Sequence, residues 1–156
     1  MTEKRAYICG PLTELELGLA DEIKLLYSRL ADVCKQALGI RAFVPHEHYD
    51  PIKHAHFTPK DVYQNEKRQV TEQTNLLVVV AVCPTWGGGM EVGWCDDCNI
   101  PIVLLKPKKN VSRLLRGCPG IKATIEFDSA EEAVEKFRSA LRTTVSIWQN
   151  PTLPRK

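Results

Sequence analysis

The chain has 156 residues, enough for one domain that buries roughly two thirds of its unfolded surface around a single core. Hydrophobic residues make up 44% and charged residues 26%, which excludes a disordered or fibrous chain. With 21 basic against 19 acidic residues the formal charge is +2, which excludes the strongly basic surface of a general nucleic-acid binder.

No apolar run approaches the roughly 18 residues of a membrane span, and the opening Met-Thr-Glu-Lys-Arg lacks the apolar stretch of a signal peptide, so a cytoplasmic protein is expected. Cys9, Cys34, Cys83, Cys95, Cys98 and Cys118 lie in apolar segments of a chain too large to need disulfide staples, and read as reduced thiols.

In chain order, Ala6 to Cys9 predicts a first strand that ends in the turn Gly10-Pro11. Leu19, Ile23, Leu26, Leu30, Val33 and Ala37 recur at helical spacing and give one apolar face, with Thr13 and Glu16 as a capping box and Gly39 as the stop. Ala42 to Val44 predicts a second strand. Pro45 to Pro59, with all four histidines, predicts a surface loop, and Thr58 caps a helix over Pro59 to Glu72.

Leu76 to Val82 is β-branched without polar alternation, the pattern of a strand covered on both faces. A loop from Cys83 to Gly89, a helix from Met90 to Asp97 and a strand from Ile102 to Leu105 complete a βαβ unit. Val111 to Leu115 predicts a short helix, Ala123 to Phe127 a fifth strand, and Ser129 to Leu141 a closing helix capped by Asp128. The expectation is one doubly wound α/β domain over residues 1–145, with about five parallel strands, followed by a C-terminal segment at 146–156 that is loose from Asn150 onward. In such sheets ligands bind beyond the carboxyl ends of the strands where the chain order reverses, here the loops at Gly10 to Thr13 and Pro84 to Gly89.

Three glycines, Gly87 to Gly89, precede a helix and leave bare amides that favour a phosphate or carboxylate, although glycines also serve as plain turn residues. Glu91 falls in the first turn of the expected helix. There it either completes the helix dipole or, as an ionised carboxylate beside a cleft, attacks a sugar carbon to form a glycosyl ester. Trp86 is equally a pocket wall or a surface plug.

Tyr7-Ile-Cys-Gly-Pro11, the strand Leu76 to Val82 and the segment Pro84-Thr-Trp-Gly-Gly-Gly-Met-Glu-Val-Gly93 together resemble the nucleoside 2-deoxyribosyltransferase superfamily over most of Ala6 to Phe127. The nearest pattern is that of the 2'-deoxynucleoside 5'-monophosphate N-glycosidase branch. The resemblance implies a flavodoxin-like or Rossmann-like sheet, Glu91 as nucleophile, a small-molecule nucleotide or nucleoside substrate, no cofactor and no metal. It also implies a homodimer with shared active sites, and no nucleic-acid or membrane partner.

By the same resemblance, Tyr7 stands near the nucleophile, Gly10 and Pro11 hold base and sugar, and Thr85 stands where the hydrolases place a phosphate-binding serine. A hydroxyl donates to phosphate where a carboxylate would repel it. Gly87, Gly89 and Trp86 belong to the same loop. Ser112 falls where the hydrolases lend a serine to the neighbouring subunit, and Arg113 and Arg116 either add charge there or are simply solvated.

The sequence departs from the family at two acidic positions, which Lys67 and Asn75 occupy here. Glu66, one residue away, is the candidate for proton transfer to the leaving base, with Lys67 as an alternative acid or phosphate partner. After Pro11 the usual arginine and glycines give way to Leu12, Thr13 and Glu14.

Trp94-Cys-Asp-Asp-Cys98 looks like a redox motif but lies on the helix that holds Glu91 rather than at its start. His46, His48, His54 and His56 suit exposed or locally bonded side chains better than a zinc site, and His46 or His48 falls close enough to the second strand to touch a leaving base. Trp94 and Trp148 are expected to pack on the core or a dimer interface. The reaction expected is hydrolysis of a nucleoside 5'-monophosphate to base and sugar phosphate. The alternatives are base exchange by a deoxyribosyltransferase, a dinucleotide glycohydrolase, and a nucleotide sensor without turnover.

Overall fold

A computed structural model describes residues 3–13, 15–50 and 52–149. Its elements are β1 (Arg5–Cys9), α1 (Leu17–Leu38), α2 (Pro45–Tyr49), α3 (Pro59–Gln73), β2 (Thr74–Val80), α4 (Trp86–Asp97), β3 (Ile102–Pro107), α5 (Arg113–Arg116), β4 (Ile121–Phe127) and α6 (Ala130–Gln149). The four strands run parallel in the order β1-β2-β3-β4.

The expected strand at Ala42 to Val44 is reduced to a single parallel bridge. Phe43 pairs with Tyr7 on the free edge of β1, through Ile8 N–H to the Phe43 carbonyl at 2.9 Å and Phe43 N–H to the Ala6 carbonyl at 2.8 Å. Pro45 explains the shortness, because it has no N–H to continue the ladder and starts α2 instead. With that segment in place β1 lies inside the sheet, and the chain order reverses between β1 and β2. This is a flavodoxin-like doubly wound arrangement of four strands and a vestigial fifth.

Side chains alternate along each strand, and both faces are covered. Ala6, Ile8, Leu76, Val78, Val80, Val103 and Leu105 pack with Leu26, Leu30 and Val33 of α1 and Phe137 and Leu141 of α6. Tyr7, Cys9, Leu77, Val79, Ile102 and Leu104 face the other way, against Val70 of α3 and Val92 and Cys95 of α4. Two covered faces explain why β2 and β3 read as continuous apolar runs.

Several boundaries differ from expectation for local reasons. α1 begins at Leu17 after Glu16, whose side chain makes no cap bond, so Thr13 forms no capping box; Gly39 ends the helix at φ 84, with its N–H on the Lys35 carbonyl at 3.1 Å. Thr58 does cap α3, in a reciprocal box with Asp61. Ser129 rather than Asp128 receives the Glu132 N–H that opens α6, while Asp128 pairs with Lys108, and α6 continues past Leu141 to Gln149. The stretch from Pro45 is no simple surface loop, because α2 occupies it and Pro45 and Asp50 are buried. Asp50 accepts from Lys24 at 2.6 Å and from the Ile52 and Lys53 amides, and the Lys24 bond holds its carboxyl well below the usual range. Glu14, the tail from Asn150 and the Trp148 side chain lie outside the described residues.

Candidate active site

β1 presents Tyr7 and Cys9, two residues apart and therefore on one face, to α4. α4 begins earlier than its sequence suggests. Thr85 is its N-cap, accepting the Gly88 N–H at 2.9 Å, so Gly87, Gly88 and Gly89 form the first turn and not a loop. Glycine disfavours a helix, yet here the cap and the packing of Val92 and Cys95 override that preference.

Glu91 is consequently the sixth residue of α4 rather than part of its first turn, and it is 7% exposed. At that depth in the helix the dipole does little to keep its carboxylate ionised. Burial pushes its carboxyl above the ordinary range, opposed by hydrogen bonds from the Cys9 thiol and the Tyr7 hydroxyl. Tyr7, wholly buried, donates its phenolic proton to Glu91 Oε1. Burial first, then the Glu91 charge, raises the Tyr7 and Cys9 titrations well above normal, so both remain protonated donors at neutral pH.

Glu66 on α3 completes the cluster. It shares a helical face with Val70, four residues on and fully buried. Desolvation and the nearby Glu91 charge push its carboxyl up to about 8, and its own charge acts on Tyr7, Cys9 and Tyr49. Lys67, rotated about 100° around the helix, instead lies over the rings of Tyr63 at 5.7 Å and Trp94 at 5.9 Å. Asn75 is exposed at the start of β2 and donates to the Lys4 carbonyl at 3.2 Å, at the opposite end of the strand. Sequence spacing alone left Glu66 and Lys67 both open; the face of α3 separates them.

Other expected site residues have local structural explanations. A Cβ on Gly10 would lie within 2.6 Å of Tyr27 Cζ and closer still to its hydroxyl, which donates to the Pro11 carbonyl at 2.8 Å. Gly10 and Pro11 are therefore shaped by Tyr27. A Cβ on Gly88 would stand 2.7 Å from Thr85 Oγ1 and 3.4 Å from Cys9 Sγ, whereas Gly87 and Gly89 face open space. Trp86 is 93% exposed and walls nothing in the isolated chain, and Ser112, the exposed N-cap of α5, accepts the Leu114 N–H at 3.2 Å. Trp94 and Tyr63 meet edge to face, with ring centroids 5.5 Å apart.

Tyr7 also begins an aromatic stack that sequence reading missed. Its ring lies 5.4 Å from Phe43, which also stacks on His48 at 4.4 Å, while His46 packs near Tyr27 at 5.9 Å. Burial lowers the titration of both histidines, which favours neutral rings. Among the described residues no three His, Cys, Asp or Glu side chains are placed to hold a metal ion, and no helix is long and apolar enough to cross a membrane. Cys95 is buried within α4 and Cys98 is exposed at its C-cap.

The fold and this cluster define a flavodoxin-like α/β protein with two carboxyl groups and a tyrosine gathered beside its topological switch point. No family model and no curated protein sequence matches the chain. Solved structures share its fold: the CMP N-glycosidase BcmB of Clostridium botulinum does so with a TM-score of 0.65 at 18% identity, over 88% of this chain and 99% of that one. A conserved protein from Enterococcus faecalis V583 does so with a TM-score of 0.57 at 18% identity, over 89% and 99%.

Proposed function

We propose that the protein hydrolyses the N-glycosidic bond of a nucleoside 5'-monophosphate. The observation that carries this reading is the Glu91 carboxylate, buried and held by the Tyr7 hydroxyl in a fold shared with a CMP N-glycosidase. Glu91 attacks C1' and forms a glycosyl ester as the base departs; water then resolves the ester to sugar 5-phosphate.

Glu66 supplies the proton to the leaving base. A carboxyl that titrates near 8 still holds its proton at neutral pH, which suits a general acid beside an ionised nucleophile. That role would otherwise fall to the family's acidic positions, here Lys67 and Asn75. Thr85 accepts an amide as helix cap and keeps its own hydroxyl proton to donate to phosphate, and Gly87 and Gly89 leave space for the phosphate to approach.

The reading includes a homodimer in which Ser112 of a second copy reaches the phosphate. Leu114 beside it is 88% exposed and Trp86 is 93% exposed, large apolar surfaces for a second copy to cover. A cytoplasmic location accords with six cysteines of which none forms a disulfide.

Incubation with a panel of ribo- and deoxyribonucleoside monophosphates, CMP included, followed by chromatography for free base, tests the reading. Glu91→Gln should lower base release by more than about a thousandfold while nucleotide still binds. Undiminished turnover in that variant sinks the assignment. Addition of a second free base separates hydrolysis from base exchange, and binding without any base release would identify a sensor.

A further inference from the structure

The nucleophile proposed above has a second donor on the same strand. Cys9 is 1% exposed and lies two residues from Tyr7, so both side chains leave β1 on the face that meets α4. Its sulfur sits 3.4 Å from the point a Gly88 Cβ would occupy, and Gly88 is one helical turn before Glu91 on the same side of α4. The thiol is therefore wedged under the first turn of the helix, on the side of α4 that carries Glu91.

We infer that Cys9 is a positioning residue: its thiol donates to Glu91, and together with the Tyr7 hydroxyl it fixes the carboxylate's orientation inside the fold. A carboxylate at this depth has little water to solvate it, and each protein donor replaces part of that solvation. The groups facing it are Tyr7 and Cys9 from β1, Glu66 from α3 and Cys95 from the following turn of α4. Of these Tyr7 and Cys9 favour the charged form. A thiol is a weak donor beside a hydroxyl. It thus supports the anion while drawing less electron density from it, an advantage when the anion must attack carbon.

Cys9 does not itself act as a nucleophile, since burial keeps the thiol protonated. The proposal rests on Glu91 as the functional carboxylate but can be tested without turnover. Protein labelled with carbon-13 at the glutamate carboxyls is titrated by NMR, with the Glu91 signal assigned by its loss in Glu91→Gln. In Cys9→Ala the Glu91 midpoint should move up, because one donor is gone. In Cys9→Ser, which restores a donor of similar size, it should return to or fall below the wild-type value. An unchanged midpoint in Cys9→Ala, or the same upward move in both variants, would assign the thiol a packing role only and overturn the inference. Wild-type protein without base release would sink the glycosidase reading and leave this titration standing.

Discussion

Replacing Glu66 with glutamine keeps the shape of the side chain and removes its titration, which isolates the effect of a carboxyl buried beside another. In the folded protein Glu66 titrates near 8, against an ordinary 4.5. Between those values the unfolded chain has released a proton that the folded chain retains, so stability falls as pH climbs through that window. The cost is absent below 4.5 and complete above 8. A shift of that size corresponds at most to about 5 kcal/mol, at about 1.4 kcal/mol per pH unit. Residual water at a half-buried side chain reduces this to about 2 kcal/mol. Urea unfolding followed by tryptophan fluorescence should show Glu66→Gln close to wild type at pH 5 and about 2 kcal/mol more stable at pH 9. The same stability difference at both pH values would refute the reasoning. Base release should meanwhile fall by roughly a hundredfold or more, the usual contribution of a general acid, and lose its decline near pH 8.

Tyr7→Phe removes a hydroxyl donor to a buried carboxylate and should lower turnover about 10- to 100-fold, with the acid limb of the pH–rate profile moving upward; a profile unchanged in position would show that the hydroxyl does not set the ionisation of Glu91. Gly10→Ala forces the new methyl into Tyr27 and breaks its bond to Pro11, so thermal unfolding should report a loss of about 2–3 kcal/mol, whereas an unchanged Tm would mean that the loop yields. If a second copy covers Trp86 and Leu114, their joint replacement by alanine should weaken dimerisation by about 30-fold or more in sedimentation, and a wild-type chain that stays monomeric at all concentrations ends that part of the reading.

Much of the fold was legible because its residues carry strong local signals. The apolar face of α1, the β-branched run of β2 and the Thr58-Pro59 start of α3 each declare one structure. What was not legible depends on contacts distant in sequence. The glycine run reads as a loop by propensity, and it becomes a helix through the Thr85 cap on Gly88 and the packing of Val92 and Cys95. Glu91 was found by motif, but its burial and its titration follow from β1 beneath it. The tight fit of Gly10 against Tyr27, 17 residues on, is likewise announced by no local pattern. Cys9 was identifiable in principle, since a residue two places after Tyr7 on a strand must share its face.

Three glycines in the opening turn of α4 have a consequence for hydrogen exchange. Each would weaken a helix interior by about 1 kcal/mol relative to alanine, and at most about that in an opening turn, so this turn starts with a deficit that its neighbours must cover. The amides of Gly89 and Met90 should therefore exchange by local opening well before those of β2 and β3. Glu91 sits immediately behind that soft turn, anchored from below by β1. If Glu91 is the nucleophile, substrate would approach it past backbone that opens at little free-energy cost, and slower exchange of those amides on nucleotide binding would locate the ligand.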